Sequence, residues 1–390
     1  MQSRVVVSGM GVITSIGDNV QTFWENCLEG RTGISLIEQE GLELLSARYG
    51  GQIKNFHMDE ESESGRSSAL LLSSMEEAIK SSTLDPSDID KVYIGTTMGE
   101  TAIDITVKND FFSIENNEKL LKQNNVKNML VDTIHRIGIE AESIIFCNAC
   151  SAGNYALISA FESIKNGDAK VAVVGGVDSF STTAYYGFSR LNAIADQQCK
   201  PFDKNRDGMI VAEGSGCLVI ESLEHAQKRG AVIYAEIAGY GVSSDAFHIN
   251  APHPLGKGIF QATKNAIESA RITTKEIDYI SAHGTGTVAN DKIESKVLSE
   301  IFNRPIPVSS IKSMLGHTMG AASAIESIVC CLVIREGKIP PTINFSESDP
   351  ECNIYCVPNR AIDTKVDYAI NNSYAFGGSN ASIIFKKKDR

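Results

Sequence analysis

The sequence predicts an α/β protein made of two related halves, on three observations. Short β-branched runs alternate with longer helical segments, no Pro/Gly/Ser-rich linker divides the chain, and one helical pattern occurs twice. The first five runs are Arg4–Ser8, Val92–Gly95, Ser143–Phe146, Val171–Gly175 and Cys217–Glu221. Five more follow at Ile277–Ser281, Ile306–Ser309, Asn353–Val357, Tyr368–Asn371 and Ser382–Phe385. The repeated pattern is a helix that begins at a glycine among small residues and stops at another glycine, from Gly153 to Gly167 and again from Gly320 to Gly337. Each follows a segment rich in candidate catalytic residues, so the two helix N-termini are expected to face one cleft. Between Glu100 and Ile137 the pattern is less regular, with polar runs at Glu115-Asn116-Asn117-Glu118 and Lys122-Gln123-Asn124-Asn125. That stretch reads as an excursion from the core, either a pocket or subunit contact or a solvated flap.

Composition narrows the function classes. With 42% hydrophobic and 22% charged residues, and 32 glycines against 10 prolines, the 390-residue chain is expected to bury a core without metal or disulfide support. No N-terminal segment has the apolar core of a signal peptide, and no run approaches the ~18 apolar residues of a spanning helix. The nine cysteines show no ladder of spacings and read as buried thiols in a reducing compartment, hence a cytoplasmic protein. A net charge of −12 argues against nucleic acid as partner. An acidic carrier protein would need a local basic patch to dock against that field.

Chemistry concentrates in three segments. Cys150 lies in Ser143-Ile-Ile-Phe-Cys-Asn-Ala-Cys-Ser-Ala-Gly153, a strand, a turn of small residues and a helix start. There the unpaired N–H groups and the helix dipole are expected to favour thiolate and leave donors for an oxyanion. Cys147, at the strand end, reads as core. His283 follows the strand Ile277–Ser281 in Ala282-His-Gly-Thr-Gly-Thr287, and His317 sits in Lys312-Ser-Met-Leu-Gly-His-Thr-Met-Gly320 before the second helix. A cysteine with two histidines suits acyl transfer followed by carbanion formation, in which imidazole N–H donors stabilise an enolate. One histidine with Asn or Asp would instead point to a protease or a transglutaminase-like enzyme. Lys312 near the histidines would keep them neutral, with Glu294 expected as its carboxylate partner.

Two other motifs fail on their context. Ser8-Gly-Met-Gly-Val-Ile-Thr14 begins like a dinucleotide fingerprint, but Thr14 stands at the third glycine position and no helix-then-acid pattern follows. Asp203-Lys-Asn-Arg-Asp-Gly208 opens like a calcium loop, yet Glu213 falls one residue short of the twelfth position. It reads as a tight turn with buried polar contacts.

Taken together, Val6–Thr14, Asn148-Ala-Cys150, Pro201-Phe-Asp203, Asp207–Gly214, Ala282-His-Gly-Thr285, Lys312–His317 and Asn372-Ser-Tyr-Ala-Phe-Gly-Gly-Ser-Asn380 give the chain its family likeness. It resembles the β-ketoacyl-acyl-carrier-protein synthases of the thiolase superfamily, over nearly its whole length. The resemblance implies a duplicated five-layered αβαβα fold, with residues 1–245 carrying the nucleophile and 246–390 the two histidines. It makes Cys150 the nucleophile, His283 and His317 the pair for decarboxylation and condensation, and Lys312 and Glu294 their support. Phe376 becomes the gate to malonyl entry, its N–H joining that of Cys150 in an oxyanion hole. No cofactor is implied. The implied partners are acyl carrier protein with its acyl and malonyl thioesters, and a second subunit, identical or related.

The departures from that pattern are local. Gly286 stands where many fatty acid enzymes carry Ser, Val288-Ala-Asn-Asp291 replaces a Pro-containing turn, and Arg66 stands alone where relatives often carry several basic residues for carrier docking. The first two tilt the expectation toward a specialised polyketide or polyene pathway. A non-catalytic chain-length partner would typically lack the cysteine, and a thiolase would use a second cysteine in place of the second histidine.

Overall fold

Helix and sheet approach most closely where glycine removes the side chain between them. The computed structural model describes residues 3–37, 47–56, 65–100 and 125–388. Its main sheet has eleven strands. The first six, in chain order, are β1 Val5–Thr14, β2 Lys91–Gly95, β3 Glu142–Phe146, β4 Val171–Asp178, β5 Gly214–Ser222 and β6 Ala235–Ser244. The rest are β7 Tyr279–Ser281, β8 Pro307–Ser309, β9 Tyr355–Cys356, β10 Tyr368–Tyr374 and β11 Ser379–Lys386. Among the described residues, six helices of twelve or more residues cover this sheet: α1 Arg66–Ser82, α2 Val126–Ile137, α3 Ala152–Asn166, α4 Lys257–Ser269, α5 Val288–Phe302 and α6 Ala322–Glu336.

The strand order is β9-β8-β7-β10-β11-β6-β1-β5-β4-β2-β3. Outward from the middle, β1, β5, β4, β2 and β3 on one side match β6, β11, β10, β7 and β8 on the other. In each half the first two pairings are antiparallel and the last two parallel. The same topology built twice is the duplication that the repeated helix pattern foreshadows. The halves meet where β1 pairs with β6 over Val5–Val7 alone.

Helices α1 and α2 cover the outer face of the first half-sheet, and α4 and α5 that of the second, while α3 and α6 lie between the two. The result is five layers, αβαβα. Every residue of α6 from Ala322 to Ile334 is buried, as a helix flanked by sheets on both sides requires.

Sequence reading missed β6 and stopped β1 at Ser8, for one physical reason. A Cβ on Gly9 or Gly11 would stand 2.3 and 2.1 Å from backbone oxygens of α1, and one on Gly241 would stand 2.0 Å from the Ala262 carbonyl of α4. These glycines let a helix lie directly on the strand, at the expense of the β-branched signature. The fingerprint-like Ser8–Thr14 is therefore a packing device.

The repeat extends to the turns. The 3₁₀ turn Ala149–Ser151 leads into α3, which ends at left-handed Gly167, and Met319–Ala321 leads into α6, which ends at left-handed Gly337. Ala149 and Met319 carry matching positive φ values of 50° and 55°. Of the irregular stretch, α2 forms the later part, capped by the Asn125 side chain. The runs Glu115–Glu118 and Lys122–Asn124 lie outside the described residues. No helix among the described residues is long and apolar enough to cross a membrane.

Candidate active site

The nucleophile candidate is placed by the junction of β3 and α3. Cys150 is 7% exposed and sits in the 3₁₀ turn, where the backbone N–H groups of Cys150 itself and of Phe376 favour its thiolate form. Those two donors are what a tetrahedral oxyanion needs. The resting thiol differs from the sequence expectation. Burial pushes it up to about 11, against the pull of Lys312 and of the backbone N–H groups of Cys150 and Phe376. Cys147 differs too: it is exposed, because β3 is the outermost strand of its half and its end is uncovered among the described residues.

His283 leaves the end of β7 on a sharp turn, with Gly284 at φ 39°. Glu294, buried on α5, accepts the N–H of His283 and of Gly284, both at 2.8 Å. Burial pushes its carboxyl up to about 7. The His283 ring stands edge-on to His317, centroids 5.5 Å apart, and to Tyr374 at 5.7 Å. His317 is held at its backbone, where its N–H donates to Ile210 and its carbonyl accepts from Ala212. Its Nδ1 accepts the Met319 N–H at 3.2 Å, which puts the proton of a neutral ring on Nε2. Burial first, then the nearby Lys312 ammonium, holds both imidazoles well below the usual histidine range.

Lys312 forms a buried ion pair with Glu326 of α6. The sequence reading gave it Glu294 instead. Glu294 spends both oxygens on the His283 turn and Glu326 takes the ammonium, although burial pushes the Glu326 carboxyl up to about 7. A signal for Glu326 was present: between Ala321 and Ile334 it is the one charged residue in an otherwise small and apolar run. A charge buried in such a helix requires a partner.

Phe376 begins the turn Phe376–Gly378 and is 41% exposed, its ring 5.7 Å from that of Phe188. Gly377 and Gly378 have φ values of 82° and 79°, a region that side chains avoid. The Gly377 N–H donates to Ile249, and the Gly378 carbonyl accepts from Asp245. Cys150, His283, His317 and Phe376 thus line one cavity of about 380 Å³, with Lys312 and Glu294 behind its wall.

The departures have structural reasons. A Cβ on Gly286, at φ 80°, would stand 2.7 Å from the Gly208 carbonyl, so serine would be strained there. Arg66 points inward to a buried ion pair with Glu213 and does not serve as a free docking cation. Asp203 is buried and accepts backbone N–H groups from Asn205 and Glu347, the tight polar turn expected.

The chain is similar to known proteins over nearly its whole length. Residues 2–226 match the model of the beta-ketoacyl synthase N-terminal domain, and residues 234–346 that of the C-terminal domain. The chain is 36% identical over 410 residues to 3-oxoacyl-[acyl-carrier-protein] synthase 2 of Staphylococcus aureus (strain N315), covering 98% of each. It is 34% identical to the enzyme of that name from Synechocystis sp., covering 99% of this chain and 98% of the relative. Among solved structures, the ishigamide ketosynthase/chain length factor matches with a TM-score of 0.93 at 35% identity over 100% of both chains. A type II polyketide ketosynthase bound to the hexaketide, in complex with its acyl-carrier protein, matches at 0.90 and 30% identity, again over 100% of both.

Proposed function

The chain belongs to the β-ketoacyl synthase family, and we propose that it moves an acyl group from acyl carrier protein to Cys150 and extends it by decarboxylative Claisen condensation with malonyl carrier protein. The observation that carries this reading is the pair of neutral imidazoles opening, with a thiol and two N–H donors, onto one cavity.

In the first half-reaction the sulfur bonds to the thioester carbon while the N–H groups of Cys150 and Phe376 hold the developing oxyanion. The proton released by Cys150 leaves with the departing carrier thiol. In the second, the bond between C2 of the malonyl group and its carboxylate breaks and carbon dioxide departs. The electron pair spreads onto the thioester oxygen, which accepts hydrogen bonds from Nε2–H of His317 and from His283. The enolate carbon attacks the acyl group, and the tetrahedral intermediate collapses with loss of the Cys150 thiolate. Lys312 raises the cost of imidazolium and so keeps both rings neutral, with His317 Nδ1 able to accept the Met319 N–H, Glu326 holds Lys312, and Glu294 holds the His283 turn. Phe376 is the gate, hinged at its two glycines.

A thiolase reading is disfavoured because Cys150 alone among the cysteines lines the cavity. A non-catalytic partner is disfavoured by the intact thiol and imidazole pair. We place the reaction in fatty acid synthesis or in a type II polyketide or polyene line, in the cytoplasm. The enzyme works as a homodimer or with a related chain-length subunit, the second arrangement being that of the ishigamide ketosynthase/chain length factor and of a Xenorhabdus doucetiae ketosynthase in complex with its chain length factor. We set the division between the halves before Ala235 and not at the 245/246 boundary expected from the sequence, because β6 pairs along its length with β11 of the second half.

The test is intact-mass analysis of the protein with acyl and malonyl carriers. The expected results are an acyl adduct lost in Cys150→Ala and a β-ketoacyl carrier product. Condensation of acetyl units without carbon dioxide release would instead make it a thiolase.

A further inference from the structure

Asp178, the last residue of β4, is fully buried and accepts hydrogen bonds from two directions. From the loop after β2 come the Thr96 hydroxyl at 2.8 Å and the N–H groups of Thr97 at 2.9 Å and Met98 at 2.8 Å. From the turn before α6 comes the Gly320 N–H at 2.6 Å. Gly320 occupies in the second half the place that Cys150 occupies in the first: each is the middle residue of a 3₁₀ turn, preceded by a residue of positive φ and followed by a helix of equal length. In the first half the N–H of that residue favours the Cys150 thiolate. Its counterpart is filled by an internal carboxylate, favourably placed at the start of α6.

We infer that Asp178 is a positioning residue for the condensation step, a built-in anion that holds the Met319–Gly320 turn and through it His317. The inference rests on the function proposed above. Met319 precedes the Gly320 that Asp178 grips, and Met319 gives its N–H to Nδ1 of His317. That bond sets which nitrogen carries the proton that faces the enolate. Met319 holds this position at a φ of 55°, a conformation that a non-glycine residue keeps only when its surroundings enforce it. A Cβ on Gly320 would stand 2.8 Å from the carboxylate and 2.7 Å from the Thr96–Thr97 backbone, so the turn is packed against Asp178 with no space between.

The same charge acts on the nucleophile in the opposite sense. Two charged groups bear on the Cys150 sulfur, the Lys312 ammonium and the Asp178 carboxylate. Of these the Asp178 carboxylate opposes thiolate formation, and Lys312 favours it. Removing the negative charge should therefore ease ionisation of Cys150 while loosening His317. A purely structural role predicts no such divergence.

Asp178→Asn keeps the shape and removes the charge. Two rates are measured against wild type: alkylation of Cys150 by iodoacetamide at pH 8, and release of carbon dioxide from malonyl carrier. The expected result is alkylation as fast as wild type or faster, with decarboxylation slowed at least tenfold. Thr96→Val, which removes one donor to the same carboxylate, should shift both rates in the same directions by less, and serves if the asparagine variant fails to fold. Unchanged decarboxylation, or a parallel fall of both rates in either variant, overturns the inference. A wild-type enzyme that releases no carbon dioxide would overturn the proposed function instead.

Discussion

The Lys312 ammonium and the Glu326 carboxylate form an ion pair with both side chains 2% exposed, joining the short helix Lys312–Leu315 to α6. A pair so deep contributes little net stability, but losing one partner strands a charge. Glu326→Gln is expected to lower stability by about 3–5 kcal/mol, read by denaturant unfolding. The double variant Lys312→Met with Glu326→Leu should recover much of that stability without recovering decarboxylation, because the cation that disfavours imidazolium is gone. Recovery of both would leave the pair with a packing role only.

The two histidines should separate the half-reactions. His283→Ala and His317→Ala each leave the N–H donors of Cys150 and Phe376 in place, so self-acylation should stay within about tenfold of wild type. The enolate has no such reserve, and losing one donor of this kind costs about 10²–10³ in rate. Acylation followed by mass spectrometry and decarboxylation followed by carbon dioxide release give the comparison. Wild-type decarboxylation combined with lost acylation would reverse the assignment.

Cys150 should show the behaviour of a desolvated thiol. With its folded-state value raised to about 11, the group is protonated at neutral pH, and its thiolate fraction grows tenfold per unit as pH rises toward that value. Alkylation of Cys150, located by peptide mapping, should therefore keep rising past pH 9. A plateau below pH 8 would mean that the helix terminus prevails over burial. Cys147→Ala, at an exposed position, should acylate as wild type does, and Cys150→Ala should not acylate at all.

Phe376→Ala should release carbon dioxide from malonyl carrier without an acyl primer faster than wild type, because the ring no longer shields the cavity. Gly377→Ala separates hinge from space. A Cβ there meets nothing within 4 Å, so its cost is the positive φ alone, about 1–2 kcal/mol. That variant should fold and acylate normally while condensing more slowly. If both variants match wild type in both half-reactions, Phe376 is no gate.

What the sequence revealed follows from how each residue signals its surroundings. Strands such as Val171–Gly175 advertise themselves by branched side chains, and Cys150, His283 and His317 by the turns that hold them. The turn geometry is local and so is its signal. Strand β6 was invisible because its partner helix lies on bare backbone at Gly239 and Gly241. The Lys312 partner was misassigned because Glu326 lies on another helix, and sequence distance says nothing of which carboxylate folds against an ammonium. Cys147 reads as core in the sequence, where its three neighbours upstream are apolar, whereas the uncovered end of β3 is set by sheet order.

The thin seam between the halves also bears on how the protein is made. Helix α3 belongs to the first half but packs against α6, and the two sheets share only the Val5–Val7 pairing. A ribosome completes β5 more than a hundred residues before it reaches the end of α6, roughly ten seconds at ordinary elongation rates. During that interval the face of α3 that later meets α6 has no cover within the nascent chain. The first half therefore emerges with its central layer open, a surface for chaperones to hold, and the nucleophile reaches its working environment only when the last third of the chain has been translated.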